Sequence, residues 1–261
     1  ENDRTYVLAQ LKELIPTLER ISGKPFDVDR LRETLGHANT MARGWQRVLE
    51  LNRATPAPFN ALTDGTIYLG VSNCLRGTPE GAQYFEDLVE EMDFKSRTGI
   101  GTLSDELYRL LFVGVPCYPI FRRFGELFSE WGGTFVTSTY LWFASGGAHL
   151  GYEYDVTKPL ESLAEGLLVG ARAAMDGMFF HTDALLEMVD AYQADGIVYQ
   201  EVPQPGHPNG HTRSAVDYRY QGEVRPASGH LRVTVAPEAA KVEYVFTTDR
   251  KSTRLNSSHV R

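Results

Sequence analysis

A cysteine at the end of an apolar run is where this sequence offers most chemistry: Leu110-Leu111-Phe112-Val113-Gly114-Val115-Pro116-Cys117-Tyr118-Pro119. A thiol ligates metal or attacks carbon as its thiolate, which gains stability at the positive end of a helix dipole. Downstream, Ile120, Phe121, Phe124, Leu127, Phe128 and Trp131 recur with a helical period, and Arg109 bounds the apolar run upstream. Cys117 is therefore expected at the carboxyl end of a buried strand that runs into a helix, where open α/β sheets bind their ligands. An isolated cysteine is equally readable as a small buried hydrophobe. Cys74 lies within the apolar stretch Leu62 to Leu75, where a buried structural thiol is expected.

Other residues could serve a site around Cys117. Tyr140, Trp142 and Phe143 follow a β-rich run and could wall an aromatic acyl pocket, or pack the core. Ser138, Thr139, Ser145 and the Gly146-Gly147 backbone could donate hydrogen bonds to carbonyl or phosphate oxygens, although loop polarity explains them equally well. Arg122 and Arg123 could meet phosphates or a partner subunit, with a solvated helix face as the expectation. His149 and His181 have no second titratable group at a telling spacing and are expected in loops or caps. Asp176 and Asp183 are expected at helix ends, and Glu161 with Glu165 as an acidic pair early in a helix.

These residues need elements to hold them. Tyr6 to Ile21 carries Val7, Leu8, Leu11, Leu14, Ile15, Leu18 and Ile21 at helical spacing before Gly23 and Pro25. A second helix is expected from an N-cap at Asp27 or Asp29 to the Pro56/Pro58 break, and the two read as a helical hairpin. Leu62 to Leu75 is ambiguous. Thr78-Pro79-Glu80 places an N-cap before a proline in the first turn, so a helix runs from there toward Gly99. From Ser104 a short helix is expected, then the strand to Cys117, the helix to Trp131 and a second strand over Thr134 to Tyr140, paired in parallel with a right-handed crossover. Helices follow over Pro159 to about Met175 and Thr182 to about Tyr192, then a strand at Gly196-Ile197-Val198-Tyr199. Strands alternating with helices imply an α/β class, a parallel flavodoxin- or Rossmann-like sheet covered on both faces.

The expected organisation is a mainly helical segment over 1–103, an α/β domain over 104–202, a divergent tail over 203–248 and a terminal run over 249–261. In the tail, Leu231/Val233/Val235 and Val242/Tyr244/Phe246 alternate around Pro237-Glu238 as a hairpin appended to the α/β part. The terminal run Asp249 to His259 resembles a translated sequencing adapter and is set aside from fold and function. The segment from Pro203 onward could then come from a mis-joined read. The start at Glu1, directly on a helical pattern, is read as the mark of a fragment.

With 261 residues, 42% hydrophobic and 23% charged, the composition is that of a globular chain. A net charge of -8 argues against a nucleic-acid or anionic-membrane surface. There is no apolar run of membrane-spanning length and no signal pattern at the amino terminus, so a cytoplasmic protein is expected. Two cysteines make no disulfide framework.

The block Gly114-Val115-Pro116-Cys117-Tyr118-Pro119-Ile120-Phe121-Arg122-Arg123-Phe124, continued by Ser138-Thr139-Tyr140-Leu141-Trp142-Phe143-Ala144-Ser145-Gly146-Gly147, resembles the B-type subunit of benzoyl-CoA reductases in the 2-hydroxyacyl-CoA dehydratase family. The likeness extends from the amino terminus to about Val202, including Leu75 to Pro79 and Glu161 to Gly166. It implies flavodoxin-like domains, a 4Fe-4S cluster held by cysteines, a homologous second catalytic subunit and an ATP-hydrolysing iron-sulfur activator. The implied reaction passes a low-potential electron into a CoA thioester to form a ketyl-type radical anion, followed by ring reduction or by loss of a hydroxyl.

The resemblance makes Cys117 a cluster ligand of the parent protein, and Ser138, Tyr140, Trp142 and Gly146 are the candidates for substrate contact beside it. It also exposes departures. A cluster needs several cysteines and only Cys74 and Cys117 are present; the family's cysteines near its amino terminus and after the strand matching Gly196 to Val202 have no counterpart here. Tyr140-Leu141-Trp142 stands where many relatives carry a ligand. The leading expectation is a fragment of a benzoyl-CoA-reducing subunit, inactive alone. The alternatives are a 2-hydroxyacyl-CoA dehydratase subunit and a non-catalytic α/β module that binds CoA or another subunit. A flavin binder fits less well, because Pro116-Cys117-Tyr118-Pro119 lacks the free amides of a phosphate cradle.

Overall fold

The computed structural model describes residues 2–116, 118, 120–145, 151–178 and 182–199, and three strands between 229 and 260. Two compact units result, Glu1–Tyr199 and Gln200–Arg261.

The first unit begins with helix α1 (Asn2–Ser22) and helix α2 (Val28–Leu51). Asp27 starts α2 by accepting hydrogen bonds from the amides of Asp29 and Arg30, at 2.9 and 3.1 Å. The expected hairpin of these two helices is not formed. Helix α1 lies along α7 (Pro159–Met178) and joins it through an Arg4–Glu165 ion pair, whereas α2 packs on α4 (Pro79–Thr98). The reason lies in the stripes: the longer apolar face of α2, from Leu35 to Leu51, fits the Ala82, Phe85, Leu88 and Met92 face of α4. At α4 the caps are as expected, with Thr78 Oγ1 accepting from the Gly81 amide, Pro79 in the first turn and Gly99 closing the helix at φ 70°.

The ambiguous stretch resolves as helix α3 (Asp64–Cys74). Its buried positions are Gly65, Thr66, Leu69 and Ser72. Cys74 falls on the opposite face and is exposed, so the expectation of a buried structural thiol is corrected by helical phase.

The sheet has strands β1 (Tyr108–Val113), β2 (Gly133–Ser138) and β3 (Gly196–Tyr199) in the order β2-β1-β3, all parallel. The short helix expected from Ser104 is not formed before β1. The Leu107 and Tyr108 amides both donate to the Gly132 carbonyl, which draws that segment into the sheet instead. Arg109 does not bound the strand; it lies inside it, buried. Nor does the strand run to Cys117, because the chain leaves it at Gly114.

Alternation along β1 covers both faces of the sheet, as expected for parallel strands. Leu111 and Val113 pack with Leu185, Met188 and Val189 of α8 (Thr182–Tyr192). Leu110 and Phe112 face the main core, with Phe135 of β2 and Phe124 and Phe128 of α5 (Phe121–Ser129). That core continues without interruption into α2, α3 and α4 through Trp45, Phe59, Leu69 and Phe85.

In the second unit, β4 (Gly229–Ala236) and β5 (Ala239–Phe246) pair antiparallel with Val233 opposite Val242, the hairpin expected from the alternation. A strand β6 (Ser257–Val260), inside the run set aside as adapter-like, pairs with β5.

Candidate functional site

The carboxyl ends of β1 and β2 lie side by side. Past β1, Gly114 takes φ 114°, a conformation other residues rarely adopt, and its amide donates to Thr139 Oγ1 at 3.1 Å. The second strand ends at Ser138 and does not reach Tyr140 as expected, because the chain turns there into a short helix, α6 (Thr139–Phe143). Ser138 causes this: its side chain accepts from the Tyr140 amide at 3.2 Å, capping the helix. Ser138 and Thr139 are both buried, so their oxygens shape the two exits.

The exits bring together two phenols that are far apart in sequence. Tyr118 and Tyr140 share a hydrogen bond between their hydroxyls, with ring centroids 6.0 Å apart at 77°. Burial, and then the Tyr118 hydrogen bond, push the Tyr140 hydroxyl up to about 12. Tyr118 also lies 6.1 Å from the Phe121 ring, and Val115, Tyr118 and Ile120 are exposed around it. Trp142 packs inward, against the main core and against the clusters that hold Val136 with Tyr192 and Leu111 with Val113 and Met188.

The described residues on either side of 146–150 are tied to the helical part of the chain. On entry, Arg76 donates to the Ser145 carbonyl at 2.8 Å, Asn73 donates to the Ala144 carbonyl at 3.3 Å, and Ser145 Oγ donates to the Trp142 carbonyl. On exit, Asn39 pairs with both backbone groups of Tyr154, at 2.8 and 2.7 Å, and Arg43 meets Glu153 at 3.0 Å. Sequence reasoning missed Arg76, Asn73 and Asn39, and nothing local marks them, since their partners are 69 to 115 residues away. Gly146, Gly147, His149 and His181 lie outside the described residues.

The two arginines of α5 separate. Arg123 pairs with Glu126 and Glu130, the solvated face expected of it, whereas Arg122 is exposed, lies 6.0 Å from the Phe121 ring and makes no ion pair among the described residues. Glu161 sits in the first turn of α7 as expected, followed by Glu165.

Cys117 lies outside the described residues; Pro116 and Tyr118 flank it. Among the described residues no three His, Cys, Asp or Glu side chains converge as metal ligands, and Cys74 is exposed at the end of α3. Two cysteines are too few for a four-iron cluster, so the donor set of this chain does not by itself fit one. No helix among the described residues is long and apolar enough to cross a membrane.

Comparison with known proteins agrees with the resemblance carried by the Cys117 to Gly147 block. Residues 1–205 match the family described as 2-hydroxyglutaryl-CoA dehydratase, D-component. The chain is 32% identical to the B-type subunit of the benzoyl-CoA reductase of Thauera aromatica over 211 residues, 77% of this chain and 48% of that protein. It is 32% identical to the (R)-phenyllactyl-CoA dehydratase alpha subunit of Clostridium sporogenes over 52% of this chain and 33% of that one. Identity is 34% with the alpha subunit of the (R)-2-hydroxyglutaryl-CoA dehydratase of Acidaminococcus fermentans, over 44% of this chain and 24% of the relative. The matched region thus spans about half or less of the length of these relatives. With the match running through every element of the first unit, the chain belongs to the 2-hydroxyglutaryl-CoA dehydratase D-component family.

Proposed function

We propose that this chain is part of a catalytic subunit that takes a CoA thioester at the carboxyl ends of β1 and β2, where the thioester accepts a low-potential electron. The acyl group favoured by this reading is benzoyl, reduced at its ring. The observation that carries it is the aromatic rim of the crevice, Tyr118, Phe121 and Tyr140, in a chain 32% identical to one subunit of a benzoyl-CoA reductase. Ser138 lines the same exits in this proposal, Trp142 supports the wall from the core side, and Gly146 is a substrate contact proposed from the sequence alone. Cys117 is one ligand of a 4Fe-4S cluster whose other ligands come from outside this chain. A homologous second subunit and an ATP-hydrolysing iron-sulfur activator complete the assembly, in the cytoplasm.

Radical dehydration of a 2-hydroxyacyl-CoA is the second reading. It is favoured by the family's description and by the dehydratase alpha subunits, matched at 31 to 34% identity. Calorimetric titration of the chain with benzoyl-CoA, (R)-phenyllactyl-CoA and free CoA tests both. Benzoyl-CoA is expected to bind about tenfold or more tighter than CoA, the worth of one buried ring. Tighter binding of phenyllactyl-CoA selects the dehydratase, and equal affinity for all three removes the acyl pocket.

A further inference from the structure

We infer that Tyr118 is the residue that hydrogen-bonds the carbonyl oxygen of the ligand at this site, with Tyr140 behind it as the group that orients and polarises its hydroxyl. The inference rests on the functional reading above, and deepens it by naming the ligand atom and the donor.

The two phenols reach one another only because parallel β1 and β2 end side by side, Tyr118 five residues past the first strand and Tyr140 two past the second. Each phenol carries one proton. In the shared bond one hydroxyl donates and the other accepts, and the acceptor keeps its own hydrogen for a further partner. Tyr140 is packed against the main core, whereas Tyr118 is 51% exposed. In this assignment the inner phenol donates to the outer one, and the outer hydroxyl offers its hydrogen at the crevice. Hydrogen bonds in series strengthen one another, so Tyr118 is a better donor than an isolated phenol.

The surroundings specify the kind of acceptor. The hydroxyl of Tyr118 meets a neutral phenol rather than a carboxylate or a cation, and its exposed neighbours are Val115 and Ile120. A neutral donor on an apolar and aromatic rim suits an uncharged carbonyl that gains negative charge on reduction, as a thioester does. Ser138 and Thr139 are less suited to this task, since both are buried where Tyr118 is exposed.

The test uses the full chain and Tyr118→Phe, with two probes: benzoyl-CoA and S-benzyl-CoA, the thioether that has lost the carbonyl oxygen. Calorimetry is expected to show benzoyl-CoA about 3- to 10-fold weaker on the variant, the worth of one neutral hydrogen bond, with the thioether unchanged. Isotope-edited infrared of carbonyl-labelled benzoyl-CoA gives an independent signature. The bound carbonyl stretch is expected below its solution frequency in the parent chain and closer to it in Tyr118→Phe; Tyr140→Phe is expected to fall between. An unshifted carbonyl in the parent chain, or equal losses for the two probes, overturns the assignment while leaving the acyl-CoA site standing. If neither probe binds the parent chain, the functional reading fails and this assignment with it.

Discussion

The two ends of strand β1 are built oppositely. At the amino end, Arg109 is buried and all its bonding is internal: to Glu106, to the carbonyls of Tyr192 at 2.9 Å, Ala54 at 3.0 Å and Arg53 at 3.3 Å. Its backbone pairs with Asp195 in both directions, and Glu106 also accepts from the Ala57 amide. At the carboxyl end, Gly114, Thr139 and Ser138 fix the backbone, and the side chains beyond them are exposed rings and apolar groups. One end spends its polar groups on the fold; the other uses backbone bonds to aim side chains outward. The difference places stability at one end of the strand and, in the proposed function, recognition at the other.

The largest test of that division is Arg109→Met. The Glu106 side chain is only 2% exposed, so the substitution strands a buried carboxylate and removes the donor to three carbonyls. Breaking a buried pair on one side costs about 3–5 kcal/mol. Urea unfolding is expected to show a loss of that size, with acyl-CoA affinity of the folded fraction unchanged. A loss below about 1 kcal/mol would erase the distinction between the ends.

Between them stands Asn52, fully buried at the end of α2, which donates to the Val136 carbonyl at 2.7 Å and accepts from the Phe59 amide at 3.0 Å. Together with the Ala61 amide on the Phe135 carbonyl, it covers the free edge of β2. Asn52→Ala leaves two buried backbone groups unpaired, and a loss of about 2 kcal/mol is expected in the same unfolding measurement. At the carboxyl end, Thr139→Val removes the acceptor of the Gly114 amide. About 1 kcal/mol of stability is expected to go, accompanied by weaker benzoyl-CoA binding, because that bond holds the turn leading to Tyr118. A stability loss without a binding loss would move Thr139 to the structural side of the comparison.

These contacts mark what the sequence could carry. The caps of α2 and α4 were legible because Asp27 and Thr78 bond amides two or three residues away. The parallel sheet was legible because β1 is apolar throughout most of its length and its connection to β2 has helical period. Phase within an apolar helix was not: Leu62 to Leu75 gives no polar face to orient it, and Cys74 consequently came out on the wrong side. Arg109 reads as a strand boundary because a charge inside a strand is costly until Glu106 and three carbonyls are brought to it. The role of Tyr118 depends on a bond across 22 residues, and only the side-by-side ends of two strands create it. The family signature marks the region while saying nothing of which phenol faces out.

The finest test is a titration at the carboxyl end. The fold favours the neutral form of Tyr140, so its folded pKa, about 12, stands above the value near 10 of an unfolded tyrosine. The contribution of Tyr140 to stability is therefore full below about pH 10 and is lost as the pH rises through about 12. Phenolate absorbance of the parent chain minus that of Tyr140→Phe should isolate one tyrosine ionising near the upper value. In a Tyr118→Phe background the same difference is expected to move down only part of the way, because burial, the larger cause, remains while the hydrogen bond is gone. A Tyr140 pKa that holds or rises in that background would mean that Tyr118 donates and Tyr140 accepts, since a donor to the phenolate lowers its pKa. The inner and outer roles of the two phenols would then have to be exchanged.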